Sequence, residues 1–343
     1  MAYRVGSNFI NLSSRGTRFL RNFLSLREGS ILVVTAAITI LFAVFFTDFD
    51  STQSFFVIAT TAAPLIIIGT GQTFLLTVGE LDLSVGSVFA LAPCIALVLN
   101  GDGIPLPACM VVAVLSATVV GYANGMISVK LRVPSLLTTL GMFFLVTGLS
   151  LEISNFETIP APHGTSFDIA MGGGSLSYVP TTLIWAIAIA VIFTLIFLYT
   201  KHGLWTIATG SNLNASLEVG VNTTRTKILN FMMTATLAGF AGVLETMRTE
   251  TAYALQGAFP LTLQTIIVAV IGGTALVGGS GTVIGTMIGA FFLGVLNDGF
   301  AIAGLSANVY MLALGVVLVT AVAINIRVQS IRRLARIGRE GSK

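Results

Sequence analysis

The stretch of residues 55 to 100 reads FFVIATTAAPLIIIGTGQTFLLTVGELDLSVGSVFALAPCIALVLN and is almost entirely apolar. Glu80 and Asp82 are its only charged residues, and they interrupt an apolar run about twice as long as the roughly 20 residues that cross a hydrocarbon core. Gly79 and Gly86 permit tight backbone geometry around these carboxylates. The stretch therefore predicts two membrane helices joined by a short polar connection.

The same apolar character extends along nearly the whole chain of 343 residues, of which 55% are hydrophobic and 9% charged, with a mean hydropathy of +0.95. A soluble domain typically carries about 25% charged residues, so an ordinary soluble globule is excluded. The sequence predicts an all-α membrane protein with about ten transmembrane helices. We place these spans at residues 31–47, 55–78, 84–99, 107–129, 135–151, 181–199, 228–246, 262–277, 283–298 and 308–326.

Positive charges predict the orientation, because Lys and Arg accumulate in cytoplasmic loops when a chain is inserted. With ten spans, every Lys and Arg except Arg248 falls on one side of the membrane. We therefore expect both termini in the cytoplasm, with an arginine-rich N-terminal tail at 1–30, a transmembrane domain at 31–326 and a basic C-terminal tail at 327–343. Spans 2–5 begin outside and spans 7–10 begin inside, which is compatible with a diverged inverted repeat.

Two longer polar connections separate the apolar runs. The external one, 152–180, is rich in Pro and Gly and is expected to cap the outer mouth as a loop or short helix. The cytoplasmic one, 200–227, is expected to contain a short helix at 212–219, with Asn212 near its N-cap and Gly220 as its C-terminal stop. Apolar residues at 213, 217 and 221 recur at the spacing of one helix face.

Polar side chains at membrane depth are costly and usually face a bundle interior or a water-filled path. For Asp82 two interpretations stay open: Asp82 or Ser84 caps the following helix, or Glu80 or Asp82 contacts substrate or a gating partner. The remaining polar residues either hydrogen bond between helices or contact substrate. The candidates for the substrate pathway or gate are Gln72, Glu80, Asp82, Ser84, Asn124, Thr138, Thr139, Gln264, Thr274 and Asn297.

Several chemistries are disfavoured by what the sequence lacks. No G-x-x-x-x-G-K-[ST] motif occurs, so the chain cannot cradle ATP phosphates in the P-loop manner. Cys94 and Cys109 lie in separate apolar runs and form no ligand cluster with the two histidines, so no metal site is expected. The net charge of +3 comes from basic residues beside apolar spans, which disfavours nucleic-acid binding. No arrangement suggests intramembrane catalysis.

Four stretches resemble the permease subunits of ABC importers of the ribose, xylose, arabinose and galactofuranose type, which are more distantly related to branched-chain amino acid and nucleoside permeases. The sequence departs from the family pattern at Gly79-Glu80-Leu81, where Gly-Gly-Ile is usual, and at Ala215-Ser216, where two alanines are usual. The stretches are GELDLSVGS (79–87), KLRVPSLLTTLGM (130–142), GSNLNASLEVGV (210–221) and IIVAVIGGTALVGGSGTVIGTMIGAFFLGVLNDGF (266–300).

This resemblance implies a multi-pass protein of the bacterial cytoplasmic (inner) membrane. It implies three protein partners: an ABC ATP-binding subunit that binds ATP and Mg²⁺, an extracytoplasmic solute-binding protein that delivers a sugar, and a second permease copy, identical or paralogous. The chain itself is expected to bind no cofactor. The cytoplasmic motif then becomes the ATPase-coupling element, with candidate residues Gly210, Asn212, Leu213, Ala215, Leu217, Glu218 and Gly220.

Two other transporter readings remain open on the sequence. The same architecture could import a nucleoside, autoinducer-2 or an amino acid, because cargo selection largely belongs to the binding protein. An ion-coupled secondary transporter would instead need carboxylates within the membrane, for which Glu80, Glu245 and Asp298 are the candidates.

Overall fold

The computed structural model describes residues 28–340, with side chains described as far as Ala323 and for Asn325. The N-terminal arginines at positions 4, 15, 18, 21 and 27 and the side chains of the basic C-terminal tail lie outside this part. The helices are α1 (Gly29–Phe45), α2 (Thr52–Val78), α3 (Val85–Gly101), α4 (Leu106–Lys130), α5 (Ser135–Ile153), α6 (Thr181–Tyr199), α7 (Lys201–Ser211), α8 (Leu213–Glu218), α9 (Thr223–Thr249), α10 (Ala258–Ile271), α11 (Val283–Ile302) and α12 (Ala307–Glu340).

Each predicted span falls on a helix, but the helices differ in length. Six of those described are long and apolar enough to cross a membrane, namely α2, α4, α5, α6, α9 and α11. Helices α3 and α10 have 17 and 14 residues, which at 1.5 Å per residue gives about 26 and 21 Å, less than the roughly 30 Å of a hydrocarbon core. The all-α membrane class is therefore confirmed.

The bundle has a buried centre and an apolar exterior. Helices α2, α9 and α11 are the most enclosed, whereas α4, α5 and α6 expose many apolar side chains, such as Val119, Phe144 and Leu195. An apolar surface of this extent would aggregate in water and suits contact with lipid. Helix α4 packs closely on α9 because Gly121 and Gly125 bring the two backbones together.

Two helix boundaries differ from the predicted spans for local reasons. The eighth span was expected to reach residue 277, but α10 ends at Ile271 because Gly272 and Gly273 follow it, and Gly273 has a φ of +98°. The glycine-rich stretch 272–282 is consequently a loop rather than a continuation of a packed helix. Helix α9 begins at Thr223, five residues before the expected position, because Asn222 accepts a hydrogen bond from the Arg225 amide and caps it.

The connection 152–180 folds onto the end of α9 through short strands. Strand β1 (Ile159–Pro160) pairs antiparallel with β4 (Thr251–Ala252), and β2 (Ser175–Leu176) pairs with β3 (Val179–Pro180). A helical turn (Ser166–Asp168) and a π-helical turn (Ile169–Gly173) lie between β1 and β2. Asp168 is buried here, and although burial alone would raise its pKa, hydrogen bonds from Thr165, Gly164 and Ile169 outweigh this and lower the pKa.

The long helix α9 separates two ends of the molecule, about 40 Å apart at 1.5 Å per residue. We call them the Lys227 end and the Glu245 end after residues near the two termini of α9. At the Lys227 end, Glu28 accepts a hydrogen bond from Thr282 Oγ1 at 2.6 Å, and Asn325 Nδ2 donates to the Thr274 carbonyl at 2.9 Å. The first described residue and the last described side chain thus both contact the loop 272–282.

Candidate functional site

The connection between α2 and α3, residues 79–84, forms the centre of the candidate site, and we call it the Asp82 loop. Helix α2 stops at Gly79, whose φ of +86° turns the chain, while its N–H still bonds to the last turn of the helix. Asp82 is completely buried. Its Oδ1 accepts hydrogen bonds from the Ser84 N–H at 2.8 Å and from the Ser84 hydroxyl at 2.6 Å, which fixes the turn into α3.

Three neighbouring helices hold the Asp82 loop. Gln72 of α2 donates from Nε2 to the Asp82 carbonyl at 2.6 Å, and Asn124 of α4 donates from Nδ2 to Ser84 Oγ at 2.9 Å and to Asp82 Oδ2 at 3.4 Å. Thr139 of α5 accepts from the Leu83 N–H at 3.0 Å. The structure thus brings together five of the sequence candidates, which we call the Asp82 cluster: Gln72, Asp82, Ser84, Asn124 and Thr139.

The Asp82 cluster also contains acceptors with no partner. The carbonyl oxygens Gln72 Oε1 and Asn124 Oδ1 are buried without a hydrogen bond within the described residues, as is the hydroxyl of Thr138, the residue before Thr139 in α5. The amide orientations follow from chemistry, because the groups facing each NH₂ include carbonyl and carboxylate oxygens that only accept. An unpaired buried acceptor costs about 1–3 kcal/mol. These unpaired oxygens are therefore available to accept hydrogen bonds from other donors in a different arrangement of the helices.

The start of α3 is capped by another helix. Gly86 N–H donates to Thr262 Oγ1 of α10 at 3.0 Å, and the same hydroxyl donates to the Leu83 carbonyl at 3.3 Å. The Ser84 hydroxyl makes no capping bond because it is engaged by Asp82 and Asn124. A Cβ atom at Gly86 would collide with the Ala258 carbonyl oxygen, so α3 and α10 begin against each other. Asp82 thus supports the turn, while Thr262, which sequence reasoning missed, supplies the cap.

Glu80 does not enter the Asp82 cluster. Its carboxylate pairs with Lys227 Nζ at 2.5 Å, and both side chains are largely but not fully buried. On the same loop, the Leu81 N–H donates to Ser135 Oγ at 3.3 Å. The ion pair joins the Asp82 loop to the second turn of α9.

A second contact joins the Asp82 loop region to the motif at residues 210–221. The end of α7 lies against the end of α2 and the loop 272–282. Gly279 N–H donates to the Thr77 carbonyl at 2.8 Å, and Ser211 Oγ, which donates to the Ile207 carbonyl at 2.8 Å, lies 3.3 Å from the Gly279 carbonyl oxygen. A side chain at Gly210 would collide with the Thr77 carbonyl. Because the two helices are in direct contact here, a displacement of α7 would also displace the end of α2.

Helix α8 continues from this contact and projects its apolar residues outward. Asn212 Oδ1 accepts from the Ala215 N–H at 3.1 Å, and Gly220 has a φ of +82°, so the predicted cap and stop are confirmed. Leu213 and Leu217 are 43% and 53% exposed. Val221 is buried instead of sharing this face, and Val219, 78% exposed, extends it. The sequence did not indicate the separate helix α7 before it.

A buried polar group that the sequence analysis missed lies beneath α7. Asn230 is completely buried, and its Oδ1 faces His202 Nε2 at 2.7 Å while Nδ2 donates to Thr206 Oγ1 at 3.2 Å and to the Phe74 carbonyl at 3.4 Å. Burial lowers the pKa of His202, and the hydrogen bond to Asn230 opposes this only in part. The amide at position 230 within an apolar span was the available signal.

The other sequence candidates lie apart from the Asp82 cluster. Thr274 is in the loop 272–282, where its hydroxyl accepts from the Thr282 N–H at 3.4 Å. Gln264 is half-buried on α10 and takes no part in the cluster, and Asn297 lies near the far end of α11. Among the side chains that the structure describes, no group of three or more His, Cys, Asp or Glu residues is placed to hold a metal ion.

The sequence of residues 54–322 matches the family described as "Branched-chain amino acid transport system / permease component". The chain belongs to this family of membrane permeases, which confirms the resemblance seen in its motifs, and it is a multi-pass protein of the inner membrane.

Named relatives cover most of the chain. It is 34% identical to the xylose/arabinose import permease protein XylH of Sulfolobus acidocaldarius over 84% of this chain and 82% of that one. It is 30% identical to the ribose import permease protein RbsC of Escherichia coli over 86% and 91% of the two chains. It is also 31% identical to the autoinducer 2 import system permease protein LsrC of Yersinia pseudotuberculosis over 78% and 75%. No solved structure matches the chain significantly.

Proposed function

We propose that this chain forms the translocation pathway of an ABC importer for a monosaccharide. The observation that carries the proposal is the similarity, over more than four fifths of the chain, to permeases named for ribose and for xylose and arabinose. The sequence has no P-loop, so ATP and Mg²⁺ belong to a separate subunit and this chain needs no cofactor of its own.

The proposed topology has ten spans with both termini in the cytoplasm, so that the Lys227 end is cytoplasmic. The distribution of Lys and Arg supports it. The approach of Glu28 and Asn325 to one loop also favours it. The short helices α3 and α10 are the third and eighth spans, equivalent members of the two proposed repeats, and their meeting N-terminal turns fit an inverted repeat.

The proposed partners bind at opposite ends. The exposed leucines of α8 suit a groove of the ATP-binding subunit, and the Glu245 end faces the solute-binding protein. A second permease copy, identical or paralogous, completes the pathway. Movement of α8 passes through α7 to the Thr77–Gly279 contact, and so to the Asp82 loop.

The Asp82 cluster and the Glu80–Lys227 pair act in this proposal as the closed inner gate. Both link the Asp82 loop to neighbouring helices at the Lys227 end, and both consist of polar bonds that can be exchanged for others. The unpaired oxygens of Gln72 and Asn124 are acceptors for such an exchange. A rigid-body rearrangement driven by nucleotide would then open the path.

An ion-coupled mechanism is not favoured by the carboxylates it would require. Glu80 pairs with Lys227, Glu245 pairs with Arg248, and Asp298 accepts a hydrogen bond from Ser54. They lie at both ends of the bundle, so they do not form one coupling site.

The test is sugar uptake by membrane vesicles that contain this chain, its ATP-binding subunit and its solute-binding protein. Labelled D-ribose, D-xylose and L-arabinose are offered separately, with and without ATP. We expect ATP-dependent accumulation of at least one of them. Accumulation of an amino acid or nucleoside with none of the sugars transported would refute the assignment.

A further inference from the structure

A cavity of about 410 Å³ lies at the Glu245 end, bounded by α2, α3, α9, strand β4 and the start of α10. This volume is within the range of small-molecule sites, roughly 300–1,000 Å³. The polar and aromatic side chains that line the cavity belong to Phe89, Glu245, Thr249, Thr251, Tyr253 and Gln256. None of them was among the sequence candidates for the pathway.

The cavity offers hydrogen-bonding groups without net charge. Arg248 holds Glu245 with two bonds, Nη2 to Oε1 at 2.5 Å and Nε to Oε2 at 3.0 Å, so the carboxylate is neutralised while lone pairs remain on both oxygens. Gln256 is buried and its Oε1 faces Thr246 Oγ1 at 3.4 Å. Its NH₂ group makes no hydrogen bond to the described residues and is free to donate. Acceptors and donors thus face one space.

Apolar ring surface completes the lining. Phe89 is buried in α3, and Tyr253 is 45% exposed in the segment that follows β4. An aromatic ring with a hydroxyl at its tip can contact both C–H and O–H groups of a ligand. Neutral polar groups beside ring faces match a polyhydroxylated ligand with an apolar face, and they disfavour an ion, which would need a charged partner.

We propose that this cavity is the acceptor site where a neutral monosaccharide lies after it leaves the solute-binding protein. The inference rests on the proposed function and adds the residues that touch the sugar. Phe89 lies on α3 five residues after Ser84, about 7.5 Å further along the helix at 1.5 Å per residue. The first turns of α3 therefore lie between the Asp82 cluster and Phe89, which lines the cavity together with Leu261 of α10.

The first experiment compares maximal uptake in the complete transporter for Tyr253→Ala, Thr251→Val and the control Leu255→Ala. Leu255 is 52% exposed on the same segment but does not line the cavity. We expect uptake in the two lining variants to fall about three- to tenfold, as for the loss of one or two hydrogen bonds or a ring contact, with the control unchanged. ATP hydrolysis stimulated by sugar-loaded binding protein should continue in both variants.

The second experiment needs no transport. In the purified transporter, Tyr253→Cys is alkylated with a neutral maleimide with and without saturating D-ribose or D-xylose, and Leu255→Cys is the control; the native Cys94 and Cys109 are buried. Sugar should slow alkylation at position 253 alone.

The possible results distinguish the acceptor site from the assignment of the chain as a sugar permease. Normal uptake in both lining variants with no protection at position 253 would overturn the acceptor site while leaving the permease assignment intact. A wild-type transporter that accumulates no sugar would count against the proposed function instead, and the alkylation experiment would still decide the site.

Discussion

At the scale of single residues, Asp82 shows how a carboxylate is kept completely buried in an apolar bundle. Its two oxygens receive hydrogen bonds from the Ser84 amide, the Ser84 hydroxyl and the Asn124 amide. A buried charge without such partners would be far more costly than the few kcal/mol that each bond supplies. The cluster is thus both a requirement for burying Asp82 and a set of bonds linking three helices.

Removing the Asp82 carboxylate should destabilise the protein. Asp82→Ala leaves two Ser84 donors and one Asn124 donor without their acceptor, and we expect a loss of about 3 kcal/mol in the free energy of unfolding. Thermal unfolding in detergent measures it.

The matched control is Ser128→Ala on α4, whose buried hydroxyl has no partner within the described part of the chain. That substitution should be neutral or slightly stabilising. Equal stability of Asp82→Ala and Ser128→Ala would contradict the structural role of the cluster.

Acidification should weaken the packing of α7 through His202. Because burial lowers the pKa of His202 in the folded state, the unfolded chain takes up the proton first as pH falls. The stabilising contribution is therefore complete above the ordinary pKa of about 6.5 and is lost as pH falls below that value towards the lower folded pKa.

Thermal unfolding from pH 8 to pH 5 of the wild type and of His202→Gln tests this prediction. Glutamine can still donate to Asn230 but does not titrate. The wild type should lose stability relative to the variant only on the acidic side. Parallel pH profiles would show that His202 does not titrate as the structure requires.

The sequence identified every member of the Asp82 cluster but not how the members pair. Each member is a polar residue in an apolar run, which is visible in the letters, whereas the partner of each depends on how helices far apart in sequence meet. Thr262 and Asn230 show the limit. A threonine in a helix can bond to its own backbone, as Thr234 does, so nothing local marks Thr262 as the cap of another helix.

Among the helices, α8 is the exposed part of the motif at residues 210–221, for which we propose a role in coupling to the ATP-binding subunit. Leu213→Asp and Leu217→Asp should each separate ATP hydrolysis from uptake, because a charge on the apolar face opposes burial in a partner groove. We expect at least about a tenfold loss of uptake, equivalent to about 1.4 kcal/mol, with the chain still present in the membrane.

Asn214→Asp is the control for this pair, since it adds the same charge to α8 without removing an apolar side chain. Uptake is measured in vesicles and hydrolysis in the purified complex. Unchanged uptake in both leucine variants would rule out α8 as the coupling element.

The contact between α7 and α2 depends on a residue without a side chain. Gly210→Ala would place a methyl group against the Thr77 carbonyl and push α7 away, which should cost about 1–3 kcal/mol of stability and impair uptake. Gly101→Ala, in a helical position with open space around it, should do neither. The measurements are thermal unfolding and uptake of the two variants. Equal stability and equal uptake would contradict a tight contact between α7 and α2.

The sequence predicted that the membrane helices exist, but it predicted less well where each helix ends. Ala275, Leu276 and Val277 look like the end of an apolar span, yet they lie in a loop because Gly272 and Gly273 have already ended α10. A hydropathy profile detects a run of apolar residues, but it does not detect glycines that end the helix within that run. The sequence did not predict helix α7, because its mixture of polar and apolar residues resembles that of a polar connection.

For the molecule as a whole, composition predicts the class and the exposed surface agrees with it. A chain with 9% charged residues and an exposed apolar surface on α4, α5 and α6 has to be surrounded by lipid. What composition could not reveal is that short helices such as α3 and α10 start against each other between the two ends. That arrangement places the cavity and the Asp82 cluster one above the other along a single helix.

In the proposed mechanism these helices enclose a path, and a docked ATP-binding subunit supplies the energy for transport. The most direct measurement is labelled sugar accumulation in proteoliposomes that contain this chain alone, or this chain with its ATP-binding subunit and solute-binding protein, under imposed proton and sodium gradients. We predict concentrative uptake only in the complete assembly and only with ATP. Accumulation by the chain alone, driven by either gradient, would contradict the account.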